Sequence, residues 1–157
     1  MPVDEQRLSE GLDFDALYRR EYAAAVRLAA LLASSIVAED LAQEAFARVH
    51  ASAAALHSPG GYLRTTLVNL CRGWHRKEGR GARAMARIFP SPEEMDHGDI
   101  EVLDAVASLP YRQRAVVVLR YWSGLTEREI AEALGCRPGT VKSLAHRALN
   151  ALRKELT

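Results

Sequence analysis

Two cysteines in 157 residues are too few for the disulfide framework of a small secreted domain, and neither Cys71 nor Cys136 sits in a context that resembles one. A reducing compartment, the cytoplasm, is the expected location. The N-terminus, MPVDEQRLSEG, lacks the apolar core of a secretory signal. The longest apolar run, Leu28 to Val37, is broken by serines and falls well short of the ~20 residues that cross a bilayer. Export and membrane insertion are therefore not expected. β-branched alternation is scarce, which argues against a sheet protein. There is no phosphate-cradling glycine motif and no nucleophilic triad signature. Cys71 and His75, four apart, could supply half of a metal site, but no second ligand pair accompanies them. No metal, cofactor or catalytic residue is expected, and the chain does not read as an enzyme.

What the sequence does contain is helical periodicity nearly throughout, so the expected fold is all-α. Helices are expected over about 14–33, 38–55 and 61–77, then 100–107, 111–122, 126–134 and 138–155. Between the two groups, residues 78–99 mix Gly, Pro and blocks of opposite charge, as a flexible linker would. Two small domains follow, at 12–78 and 100–155, joined by a linker at 79–99. The net charge of +1 conceals an alternation: residues 1–61 carry −4, 62–89 carry +6, 90–110 carry −6 and 111–157 carry +5. The two basic blocks are candidates for contact with phosphates.

The C-terminal basic block has the punctuation of a helix-turn-helix. Thr126 and Glu129 have capping-box spacing. Gly135 ends that helix, and Pro138 suits the first turn of the next. In the second helix, Val141, Leu144, Ala145, Ala148, Leu149 and Leu152 fill one arc, while Thr140, Lys142, Ser143, His146, Arg147 and Asn150 fill the other. A polar-faced helix after so short a turn is the unit that reads a major groove. The earlier basic block is also amphipathic. Leu63, Leu67, Leu70, Cys71 and Trp74 form an apolar arc; Arg64, Thr65, Asn69, Arg72, His75 and Arg76 form a polar one. Arg72, Arg76, Lys77 and Arg80 suit phosphates, Asn69 suits a base edge, and His75 is the candidate for stacking on an unpaired base. Upstream, Asp40, Gln43, Glu44 and Arg48 share one helix face.

Together these segments resemble the extracytoplasmic-function sigma factors of bacterial RNA polymerase, and the pattern YLRTTLVNLCRGWHRK is most similar to the actinobacterial SigE-like subgroup. AEDLAQEAFARVH, at 38–50, is similar to the polymerase-binding segment of region 2. GYLRTTLVNLCRGWHRK, at 61–77, is similar to the segment that recognises and helps melt the −10 element. The stretch at 109–149 is similar to region 4, which binds the −35 element. The resemblance implies core-polymerase contacts, with the β and β′ subunits as partners, at Asp40, Gln43, Glu44, Phe46 and Arg48. It implies −10 contacts at Asn69, Arg72, His75, Arg76, Lys77 and Arg80, with the loop near His57 to Gly61 pocketing a flipped base. It implies −35 contacts at Arg137, Thr140, Lys142, Ser143, His146 and Arg147. Promoter DNA and an anti-sigma factor are further implied partners, although no residue marks a surface for the latter.

The chain departs from the family pattern at four positions: His50 replaces a usual Trp, Gly73 a frequent Asp, Arg137 a usual Ser or Thr cap, and Leu144 a frequent Arg or Gln. The chain continues only briefly after Leu152, so no further C-terminal regulatory domain is expected. The expected function is promoter-specific initiation with core polymerase. The competing reading is a stand-alone helix-turn-helix regulator, dimeric on a palindromic site. The region 38–50 and the first basic helix separate the two, because a lone regulator needs neither.

Overall fold

The computed structural model describes residues 13–52, 57–78 and 97–157, and every regular element among them is an α-helix. Helix α1 (Phe14–Leu32) opens under Asp13, whose carboxylate accepts the Ala16 N–H at 3.1 Å. The chain leaves it through Ser34, whose hydroxyl accepts the Ile36 N–H at 3.2 Å. Helix α2 (Ala38–Ala51) has no side-chain cap, but Glu39 and Asp40 in its first turn face the positive end of the helix dipole. It ends before the expected position 55, because Ser52 turns extended at φ −106° and ψ 121°. Residues 53–56 lie outside the described ones. Helix α3 (Pro59–Glu78) begins two residues earlier than expected. Pro59 fills the first turn, where a missing N–H breaks no helical bond, and the Tyr62 N–H reaches the Ser58 carbonyl at 2.9 Å.

These three helices bury Leu17, Leu32, Ala42, Phe46, Val49, Leu67, Val68 and Cys71 between them. Phe46 lies under an aromatic group, 4.8 Å from Tyr18 and 6.3 Å from both Phe14 and Tyr22, measured between ring centroids. His50 sets its ring edge-on to Phe14 at 4.7 Å, so it still contributes to this packing where Trp is usual.

The second bundle comprises α4 (His97–Ser108), α5 (Tyr111–Tyr121), α6 (Glu127–Leu134) and α7 (Pro138–Leu156). Thr126 caps α6 reciprocally with Glu129: the hydroxyl accepts the Glu129 N–H at 3.2 Å, and the carboxylate accepts the Thr126 N–H at 3.1 Å. Gly135 takes φ +65°, which favours glycine. From there its own N–H reaches Glu132 O at 3.3 Å and the Cys136 N–H reaches Ala131 O at 3.0 Å, closing α6. Val141, Leu144, Ala145 and Ala148 are the buried side of α7.

The two bundles are not held apart. Helix α1 packs on α5, and α3 packs on both α5 and α6. One continuous cluster of buried side chains, from Leu17 to Ala148, runs through both halves. Of the expected linker, residues 79–96 lie outside the described ones, and α4 already includes residues 97–99.

Candidate polymerase and promoter surfaces

The α2 surface is acidic and polar. Asp40, Gln43, Glu44 and Arg48 are all exposed on it. The Glu44 carboxylate meets Arg48 at 2.9 Å one turn on, and Gln43 Nε2 donates to the Tyr18 hydroxyl at 2.8 Å. Three of the four side chains are thus oriented before any partner arrives. Phe46, expected among the contact residues, is only 1% exposed. It shares the inward arc with Ala42 and Val49, four positions before and three after it, so it supports this face from beneath and cannot touch a partner.

Helix α3 divides its polar arc. Asn69, Arg76 and Lys77 are exposed, and Arg72 is half-buried. Arg80 lies outside the described residues. His75 is not displayed for base stacking; it turns inward, with Nε2 2.5 Å from the Leu32 carbonyl oxygen and its ring 5.1 Å from that of Tyr111. Trp74 is half-buried against the core, as its place in the apolar arc predicts. At Gly73 an added Cβ would meet nothing within 4 Å, so the missing side chain relieves no crowding. The loop at its N-terminal end, His57, Ser58 and Gly61, lines a cleft with Tyr62, Arg64 and Glu129.

On α7, Arg137, Lys142, Ser143, His146 and Arg147 are exposed and Thr140 is half-buried. This helix carries no acidic residue before Glu155, so its outward face is uniformly cationic or neutral. His146 and Asn150 pair at 3.2 Å, and Lys142 lies 3.9 Å from Glu127 at the start of α6. Arg137 occupies the N-cap without a side-chain hydrogen bond, leaving its guanidinium free of a capping role. Leu144 is buried, at 8% exposure, which takes it out of any groove contact.

Between the bundles lies a polar seam that sequence patterns did not single out. Arg114, 7% exposed, donates from Nη1 to Leu32 O at 3.3 Å and from Nη2 to Ala107 O. The Tyr111 hydroxyl donates to Val68 O at 2.7 Å. Arg64 meets Glu129 at 3.6 Å. Arg114 Nη1 and His75 Nε2 are 3.3 Å apart. Since His75 lies within 2.5 Å of the same carbonyl, its Nε2 must carry the proton; the two nitrogens share one acceptor and do not bond each other. Burial lowers the pKa of His75, the Leu32 hydrogen bond partly opposes this, and the Arg114 charge lowers it further. Burial also pushes the Cys71 thiol up to about 12. Cys71 is thus an inert core group and His75 is committed to the seam. Among the described residues no group of three His, Cys, Asp or Glu side chains could hold a metal. The only advance signal for Arg114 was a cation opening the buried run Ala115 to Leu119.

Residues 14–81 match sigma-70 region 2, and residues 99–152 match sigma-70 region 4. A region 2 bundle followed by a region 4 helix-turn-helix defines a sigma-70-type transcription initiation factor. The RNA polymerase sigma-E factor of Streptomyces antibioticus is 36% identical over 162 residues, covering 94% of this chain and 86% of that protein. That of Streptomyces coelicolor is 34% identical over 157 residues, covering 95% and 89%. The sigma factor RpoE of Bartonella quintana, solved in complex with the anti-sigma factor NepR, superposes with a TM-score of 0.74 at 26% identity, covering 92% of this chain and 96% of that one. The chain belongs to the extracytoplasmic-function sigma factors of RNA polymerase, among relatives named sigma-E. Sigma factors are non-catalytic subunits that bind core polymerase and promoter DNA to direct initiation. No described helix is long and apolar enough to cross a membrane.

Proposed function

We propose that three separate faces divide the work of promoter-specific initiation. The α2 face, through Asp40, Gln43, Glu44 and Arg48, docks on the β and β′ subunits of core polymerase. Asn69, Arg72, Arg76 and Lys77 of α3, extended by Arg80, take the −10 strand, and the loop near His57 to Gly61 receives a base from it. Arg137, Thr140, Lys142, Ser143, His146 and Arg147 carry α7 into the −35 major groove. The domain division follows as 12–78 for region 2, 79–99 for the link and 100–155 for region 4. The chain supplies binding and strand separation in the cytoplasm, with no cofactor and no covalent chemistry of its own. An anti-sigma factor is a natural further partner, since the Bartonella sigma factor was solved with one.

The observation that carries this reading is the coexistence of the exposed α2 face with an uncovered, acid-free α7 face. A lone regulator would need only the second. The test is transcription from a promoter library with purified core polymerase. Glu44→Ala should weaken core binding several-fold and leave promoter choice unchanged. Arg147→Ala should cost about 1–3 kcal/mol at the −35 element if its guanidinium forks a base edge, and leave core affinity unchanged. Exchange of those two phenotypes would sink the assignment of faces, and specific duplex binding without any core binding would favour the lone regulator.

A further inference from the structure

Helix α7 carries a polar pair with a definite chemical sense. Asn150 stands on the same exposed arc as His146, one turn further on, and its Nδ2 lies 3.2 Å from His146 Nε2. The stretch 148–152 reads Ala-Leu-Asn-Ala-Leu. Asparagine is a weaker helix former than its neighbours there, so helix propensity does not account for it. Reach does not account for it either. A recognition helix touches base edges with its N-terminal residues, and Asn150 lies about 18 Å along the axis from Pro138 at ~1.5 Å per residue. The group it does reach is the ring of His146.

An amide nitrogen only donates. His146 Nε2 is therefore the acceptor in this pair, and the single proton of the neutral ring sits on Nδ1, because the bond made at one imidazole nitrogen sets the state of the other. The unpaired nitrogen of the ring accordingly offers a donor. In a major groove that donor matches guanine N7 and O6 or thymine O4, and it is opposed by cytosine, which presents only the N4–H donor. With Leu144 turned into the core, more of the reading along this part of the helix falls to His146.

We propose that Asn150 is a positioning residue for −35 recognition: by holding the proton of His146 on Nδ1, it makes that ring select a base presenting a hydrogen-bond acceptor and reject cytosine. The inference rests on the −35 assignment of α7. In water such a pair contributes little, but in the groove, where water is displaced, the amide is the partner left to Nε2. Without it the proton can move to Nε2, Nδ1 becomes an acceptor, and cytosine N4–H finds a partner.

The test uses holoenzyme assembled from core polymerase and the full chain. It transcribes a promoter library randomised across both elements, and the enriched bases are counted at each −35 position. Wild type should favour guanine or thymine over cytosine at one position, and His146→Ala should erase that preference there alone. Asn150→Ala, a change at an exposed site to a stronger helix former, should keep helicity and raise cytosine several-fold at the same position, with preferences elsewhere unchanged. In the His146→Ala background it should have no further effect, a result that direct contact of Asn150 with DNA would not give. Cytosine preferred by wild type at the His146 position, preferences unmoved by Asn150→Ala, or equal effects of that change with and without His146 would each overturn the proposal. If His146→Ala and Arg147→Ala both leave every −35 preference intact, the assignment of α7 to that element has failed as well. If they alter it while Asn150→Ala does not, only the positioning role has.

Discussion

His75 shows how much one residue's neighbours decide. On the helix wheel of α3 it belongs with Arg72 and Arg76, yet it faces Leu32 O from α1 and Arg114 and Tyr111 from α5. Arg72, Arg76 and Arg112 line the same cleft, and no acidic group does. A proton added to this ring would find Arg114 beside it and no carboxylate along that cleft to offset the charge. Its pKa is accordingly held below the ordinary 6.5, chiefly by burial. In the unfolded chain the ring returns to water and to about that ordinary value. Protons therefore bind the unfolded chain better: the folded chain has its full advantage above about pH 6.5 and loses it as pH falls below that. The midpoint of urea unfolding should fall as pH is lowered from 8 to 5.5, and His75→Gln should reduce that dependence. A midpoint that is flat across that range in the wild type would refute this. At Phe46 the expectation also changes, since its neighbour in sequence Ala45 and its ring partners Tyr18 and Phe14 place it inside.

At the level of single elements, local signals held well. The α6 cap, the glycine at φ +65° and the proline opening α7 are read within a few residues of sequence, because the groups that satisfy each other are three or four positions apart. Thr126→Ala removes one half of the reciprocal cap and should cost about 0.5–2 kcal/mol, read from the midpoint of urea unfolding. Because α6 also carries Glu129 to the seam, that variant should loosen the Arg64 contact as well. An unchanged midpoint would show that the hydroxyl is dispensable. Boundaries were less legible. Helix α2 stops early and α3 starts early, since Ala-rich sequence carries no stop of its own and Pro59 reads equally as a turn or as a first helical residue.

Over the whole molecule, the periodicity pointed to two small bundles, and each is of a size that buries only a modest share of its surface. Their union is physically reasonable on that ground alone. The shared core, including Leu32 and Leu67 on one side and Val116 and Ile130 on the other, makes the halves parts of one cooperative unit. Calorimetry of the free chain should therefore give a single endotherm whose van't Hoff and calorimetric enthalpies agree. Two separable endotherms would show that each half folds without the other. The charge blocks seen along the chain also take on meaning at this scale, as the α6 carboxylates at Glu129 and Glu132 stand against the basic block of α3.

The helices, the helix-turn-helix and the polar faces of α2 and α7 follow from the sequence by itself, since periodicity and capping act between residues a turn apart. The family likeness rests on those same local patterns. What only the tertiary structure decides is which members of a face remain outside it and whether the two halves stand apart. His75 meets Leu32 across 43 positions and Arg114 meets it across 82, separations over which no periodicity carries information. The unmet carbonyls at the end of α1 become a joint only when the rest of the chain brings it a donor.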